Sequence, residues 1–206
     1  MEPRWKHHDN NHSDIYPDER GKLNRIDEIT RGVGNNQRQS KRIRARKLLV
    51  RGSLGINEGL VALIDGPISM NLIIVLDKRG NDSPLEPYEV FEGDHLTIEW
   101  LLKPTLFVKH GVEDRFEIIW EKRYMINMTF NKEVVPPPYN VFDGGRHAVE
   151  EYIDLNCEIE YNDDGVLSPG KNRLYMFTYA PTLNEGWSDP VWTDLRSRLY
   201  FDDLYK

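Results

Sequence analysis

Apolar positions in this chain come in short runs with a two-residue period, not in helical stripes. In RLYMFTYA (173–180), Leu174, Met176 and Thr178 alternate with Tyr175, Phe177 and Tyr179. Both faces of that segment are apolar or aromatic, as expected of a strand buried on both sides in a packed sandwich. The same reading predicts strands at 42–54, 70–77, 95–102, 115–120, 123–130, 152–161, 172–180 and 195–205. Between them lie turn-rich connections such as KRGNDSPLEP, FNKEVVPPPYNVFDGGRH, NDDGVLSPG and PTLNEGWSDP. EGDHLTIEWLLK is the nearest approach to an amphipathic helix, and no internal repeat is present.

Residues 1–28 have few aliphatics, many Asp, Asn and His, and no sustained period, so they read as a flexible N-terminal arm. The following ITRGVGNNQ has Gly32, Gly34, Asn35 and Asn36, which suit a turn with positive φ. The expected organisation is an arm over 1–28 and one all-β domain over 29–206, an antiparallel β-sandwich. A jelly roll and an immunoglobulin-type topology both fit this spacing.

Charge changes the picture. The chain carries a formal net charge of -7, yet RQSKRIRARKLLVR (38–51) holds seven basic residues and no acidic one. Residues 1–37 are near neutral, and residues 52–206 carry 14 basic against 27 acidic side chains. A short basic segment therefore precedes an acidic body, which suggests different partners for different surfaces. In an extended strand Arg42, Arg44 and Arg46 share one face, while Ile43, Ala45, Lys47 and Leu49 take the other. A row of guanidiniums cannot be buried unpartnered, so it faces water, carboxylates or a polyanion. The plain reading is a solvated face or pairing with the acidic body. The sharper one is contact with a nucleic-acid backbone through Arg38, Lys41, Arg42, Arg44, Arg46 and Lys47. Six such groups on a single strand would give a log K against log salt slope of about -4. The segment itself contains no aromatic on which a base could stack. The sharper reading requires that an external polyanion, and not the chain's own carboxylates, neutralise the row.

Three segments, in order, carry a family resemblance. GVGNNQRQSKRIRARKLLVRGSL resembles the first core strand of capsid proteins of circular, Rep-encoding single-stranded DNA viruses, the geminivirus-, genomovirus- and circovirus-like coat proteins; Gly32, Gly34, Arg38, Lys41, Arg42 and Ile43 match. DRFEIIWEKRYMINM (114–128) is similar to the family's paired strands, and LRSRLYFDDLY (195–205) to its closing strand. RLYMFTYA stands where the penultimate strand would. The resemblance covers about 28–206 and implies a viral jelly roll that self-assembles into an icosahedral homo-oligomer around single-stranded DNA. It places the protein in a virion, with host cytoplasm and nucleus as the compartments of assembly. Such coat proteins usually open on an arginine-rich arm, which the near-neutral residues 1–37 are not. The alternative is a non-viral β-sandwich module that holds a carbohydrate or peptide in loops such as 131–148.

Other chemistry is sparse. His7, His8, His12 and Asp14 read as a polar arm and not as a metal site. The single cysteine, Cys157, excludes an intrachain disulfide and a cysteine-based zinc cage; it reads as a buried structural thiol. No G-x-S-x-G elbow, Walker A loop or complete G-x-G-x-x-G occurs, so no enzyme and no cofactor is expected. The acidic pairs Asp163–Asp164 and Asp202–Asp203 read as solvated, and His110 and His147 as surface residues. Pro136, Pro137 and Tyr139 of PPPY match a WW-domain ligand, with a stiff connection as the plainer reading. The first residues lack the apolar run of a secretory signal, and LIIVL (72–76) is far short of the about 20 residues of a membrane helix. The expectation is a soluble, cytosolic product without membrane insertion.

Overall fold

In a computed structural model of the chain, the structure describes residues 5–15, 22–56, 68–80, 85–92, 107–126, 146–162, 170–180 and 191–204. Eight strands are present among these residues: β1 (Lys6–Ile15), β2 (Lys22–Arg25), β3 (Arg42–Ile56), β4 (Ile68–Asp77), β5 (Phe116–Ile126), β6 (Arg146–Glu160), β7 (Arg173–Tyr179) and β8 (Val191–Asp203). One short helix, α1 (Pro87–Val90), lies between β4 and β5. The strands form two four-stranded sheets, ordered β1-β8-β3-β6 and β2-β7-β4-β5. All strand pairs within them are antiparallel. The expected antiparallel all-β architecture is therefore present.

Two-sided burial explains the strands without a polar face. Met70, Leu72, Ile74 and Leu76 of β4 join Leu174 and Met176 of β7 and Ile43, Leu48 and Val50 of β3 in a core drawn from both sheets. Ile73 and Val75 turn the other way, onto Phe91, Phe116, Tyr175, Phe177 and Tyr179. The segment around α1 covers that outer face of the second sheet, with Phe91 stacked on Phe177 at 4.8 Å. Each large apolar side chain so removed from water contributes about 1.5–3 kcal/mol. Glycine matters at one contact between strands. At Gly52 φ is 152°, and a Cβ there would lie 1.9 Å from the Asp194 carbonyl oxygen of β8.

Several expected boundaries move. The described residues of the strands expected at 115–120 and 123–130 belong to one continuous strand, β5, while 127–130 and 95–102 lie outside the described residues. The largest correction is within the flexible arm expected over 1–28, whose described residues include two integral strands, β1 and β2. β1 runs along the edge of its sheet, paired with β8 from Lys6↔Phe201 to Ile15↔Thr193. Its inward positions are polar but satisfied. His12 Nε2 lies 2.8 Å from Ser197 Oγ, Asn10 Nδ2 donates to the Ile26 carbonyl at 2.8 Å, and His8 Nε2 lies 3.1 Å from Asn10 Oδ1. An edge strand held by hydrogen bonds shows no aliphatic alternation, which is why its period is invisible. Ile26, Asp27 and Ile29 are fully buried, so the domain does not begin at residue 29. No helix among the described residues is long and apolar enough to cross a membrane.

Candidate nucleic-acid interface

β3 carries the basic row and lies between β6 and β8, so both neighbours determine what the row meets. Arg42 and Arg44 face outward while Ile43 and Ala45 are buried, as alternation requires. A bulge between Ala45 and Lys47 then resets the register against both neighbours. Lys47 therefore turns outward and Leu48 inward, the reverse of the simple two-residue period. On β6 the bulge is matched by Asn156 at φ 48°, a left-handed conformation that asparagine tolerates.

The partners of the row come from the same chain. Glu158 of β6 takes two guanidiniums: Arg44 Nη2 donates to its Oε1 at 2.8 Å, and Arg42 Nη2 donates to its Oε2. Arg46 Nε donates to Asp202 Oδ2 of β8 at 2.6 Å, and Lys47 Nζ lies 3.6 Å from Asp154 Oδ1 of β6. Further along, Arg51 Nε donates to Glu150 Oε1 at 3.0 Å, and Arg198 grips Asp9 of β1 through two bonds of 2.6 and 2.8 Å. Hydrogen bonds from Arg44 and Arg42 hold the Glu158 carboxyl below its ordinary range. Arg51 does the same to Glu150, and Arg198 to Asp9. The outer face of this sheet is a ladder of cross-strand charge pairs.

This arrangement corrects the expectation for the row. Arg42, Arg44, Arg46 and Lys47 each have a carboxylate of the same chain within 3.6 Å, so the condition of an external polyanion is not met in the isolated subunit. Arg38 is removed from the face altogether. It is fully buried, donates to the carbonyls of Ile29 (3.1 Å) and Ser40 (2.9 Å), and lies 4.0 Å from the centre of the Tyr161 ring. Lys41 is exposed just before β3.

Sequence reasoning missed the carboxylates and the aromatics. The acidic alternation was legible in EEYIDLNCEIE, but only strand pairing shows that it faces the basic row. Trp5 and Tyr200, with rings 6.4 Å apart, flank the row on the β8 side, and Lys47 Nζ lies 5.7 Å from the Trp5 ring.

Of the remaining candidates, Asp202, Asp203 and Cys157 have structural surroundings. Asp202 and Asp203 are not a solvated pair. Asp203 lies 2.7 Å from Lys6 Nζ and accepts the Gln39 and Ser40 amides at 2.8 and 3.1 Å, while Asp202 holds Arg46. Cys157 packs against the core, and burial pushes its thiol up to about 11, away from thiolate chemistry. His110 and His147 are exposed. No three of His, Cys, Asp and Glu converge as a cation site among the described residues. Asp163, Asp164 and the PPPY residues Pro136, Pro137 and Tyr139 lie outside the described residues. Compared with known proteins, the chain matches no family model and no curated sequence.

Proposed function

We propose that the chain is a coat subunit, a jelly roll that self-assembles into a closed icosahedral shell around single-stranded DNA. The observation that carries this reading is the strand pairing. β1 pairs with β8, β2 with β7, β3 with β6 and β4 with β5. That is the pattern of one long eight-stranded hairpin folded across itself, with β8–β3 and β7–β4 as the pairs made on wrapping. Such winding gives the double Greek key of viral shell subunits. The resemblance of 28–206 to coat proteins of circular single-stranded DNA viruses supports the same reading. Lateral contacts between subunits would draw on the acidic body, which makes assembly sensitive to salt and pH. The four positive groups of the β3 row, Arg42, Arg44, Arg46 and Lys47, are held by three carboxylates of the same chain, so little positive surface stands open for the genome and packaging draws on displacing carboxylates.

Lectin and cupin domains share this winding, and that favours one second reading, a module that binds a carbohydrate or peptide through its loops. It predicts a monomer or small oligomer. Negative-stain electron microscopy of the purified chain across a range of salt and pH separates the two. Closed particles of uniform diameter are expected; dispersed small species under every condition would overturn the coat-subunit reading.

A further inference from the structure

The basic segment contains no aromatic, but the fold brings one beside it from another strand. Tyr152 of β6 stands directly opposite Leu49 of β3. Its outward neighbours along β6, Asp154 and Glu150, face Lys47 and Arg51. Tyr152 is 64% exposed, whereas Tyr124, Tyr161, Tyr175 and Tyr179 are buried in the sandwich or beneath its cover. Its hydroxyl is fixed by Arg51 Nη2 at 3.0 Å and Glu150 Oε1 at 3.1 Å. An exposed aromatic held in place beside a cationic column, with Trp5 and Tyr200 across that column, is the combination that binds unpaired bases and their backbone.

Glu158 completes the case. One carboxylate between two guanidinium forks offers the pair of anionic oxygens that a phosphodiester also offers. All three side chains are between 32% and 38% exposed, so the pairing is open to water and to exchange. We propose that the outer face of the β1-β8-β3-β6 sheet is a masked site for single-stranded nucleic acid. In it a phosphodiester replaces the Glu158 carboxylate on Arg42 and Arg44, and a base stacks on Tyr152. The inference deepens the coat-subunit reading and rests on it for the choice of polyanion. The displaced Glu158, with Asp154 further along β6 and Asp202 across β3 on β8, repels the incoming backbone, so the wild-type face binds weakly by construction.

Fluorescence anisotropy with labelled oligothymidylate and the full chain, kept as free subunits, tests the site. Glu158→Gln binds more tightly than wild type, and its log K against log salt slope is steeper by about 0.7, because losing the one carboxylate leaves one more phosphate neutralised with no displaced anion. Arg42→Gln and Arg44→Gln added to that variant abolish the gain. Tyr152→Ala binds oligothymidylate at least about fivefold more weakly, while Tyr152→Phe retains affinity. Heparin, an anion without bases, is bound equally by wild type and Tyr152→Ala. The site is overturned if Glu158→Gln matches wild type in affinity and slope. Equal affinity of Tyr152→Ala and wild type for oligothymidylate, or a matching loss on heparin, also overturns it. Closed particles built from subunits blind to oligothymidylate would sink this site alone. Oligonucleotide responses without particles would sink the coat-subunit reading alone.

Discussion

Arg38 and Arg42 stand four positions apart in one basic run, yet they belong to different physical worlds. Arg38 sits in a closed cluster at the end of the sandwich. Two guanidiniums lie over the Tyr161 ring there, Arg38 at 4.0 Å and Arg173 at 4.7 Å from its centre. The Tyr161 hydroxyl donates to the Asp27 carbonyl at 2.9 Å, and the Asp27 carboxylate takes Arg25 Nε at 2.9 Å and Arg173 Nη1 at 3.1 Å. Asp27, Arg38 and Arg173 are essentially sealed from water. Arg42 pairs on an open face with a carboxylate that a solvent ion can replace. Two arginines of one basic run thus do opposite work. Burial makes the first cluster a structural lock, and exposure makes the second an exchangeable layer.

The sharpest way to break that contrast is to remove the buried counter-ion. Asp27→Ala takes from the buried Arg173 the carboxylate that its Nη1 donates to, and urea unfolding is expected to show a loss of about 3–5 kcal/mol. A loss below about 1 kcal/mol would mean that the cluster is not sealed. Next comes the fork itself. Arg38→Lys keeps the charge but cannot reach both carbonyls in one plane, with an expected cost of about 1.5–3 kcal/mol. Arg42→Lys, on the open face, is expected to leave the urea midpoint unchanged. Equal costs at the two positions would erase the distinction.

How much of this was legible in the sequence follows the same division. β4 and β7 were legible because NLIIVL and RLYMFTY carry β-branched and aromatic side chains that need burial on both faces. β1 was not, since His8, Asn10 and His12 satisfy their inward positions by hydrogen bonds and leave no apolar period. The basic row was obvious, but its partners were not. Glu158 lies 116 and 114 positions from Arg42 and Arg44, and Asp202 lies 156 from Arg46, distances that only strand pairing closes. Nor could a periodic pattern reveal the bulge at Arg46, which decides which way Lys47 points.

A smaller effect probes the edge strand. Burial lowers the His8 imidazole below its ordinary value of 6.5, so the folded state holds it neutral. Its contribution to stability is complete above pH 6.5 and declines as pH falls from there through the lower folded value. Urea midpoints measured downward from pH 7 should therefore drop in wild type, with a shallower drop in His8→Gln. Identical pH profiles would return β1 to the status of a loose arm. The smallest change is expected on the open face, where Glu158→Gln should shift the thermal midpoint by no more than experimental error.

The central claim is that the positive row of β3 is paired with carboxylates from within the chain. A site-resolved NMR titration of the Glu158 carboxyl carbon tests it directly, in wild type and in the Arg42→Ala, Arg44→Ala double variant. The wild-type midpoint should lie below the ordinary 4.5 and move back toward it when the two guanidiniums are removed. A wild-type midpoint at the ordinary value, unmoved by the double substitution, would contradict the claim.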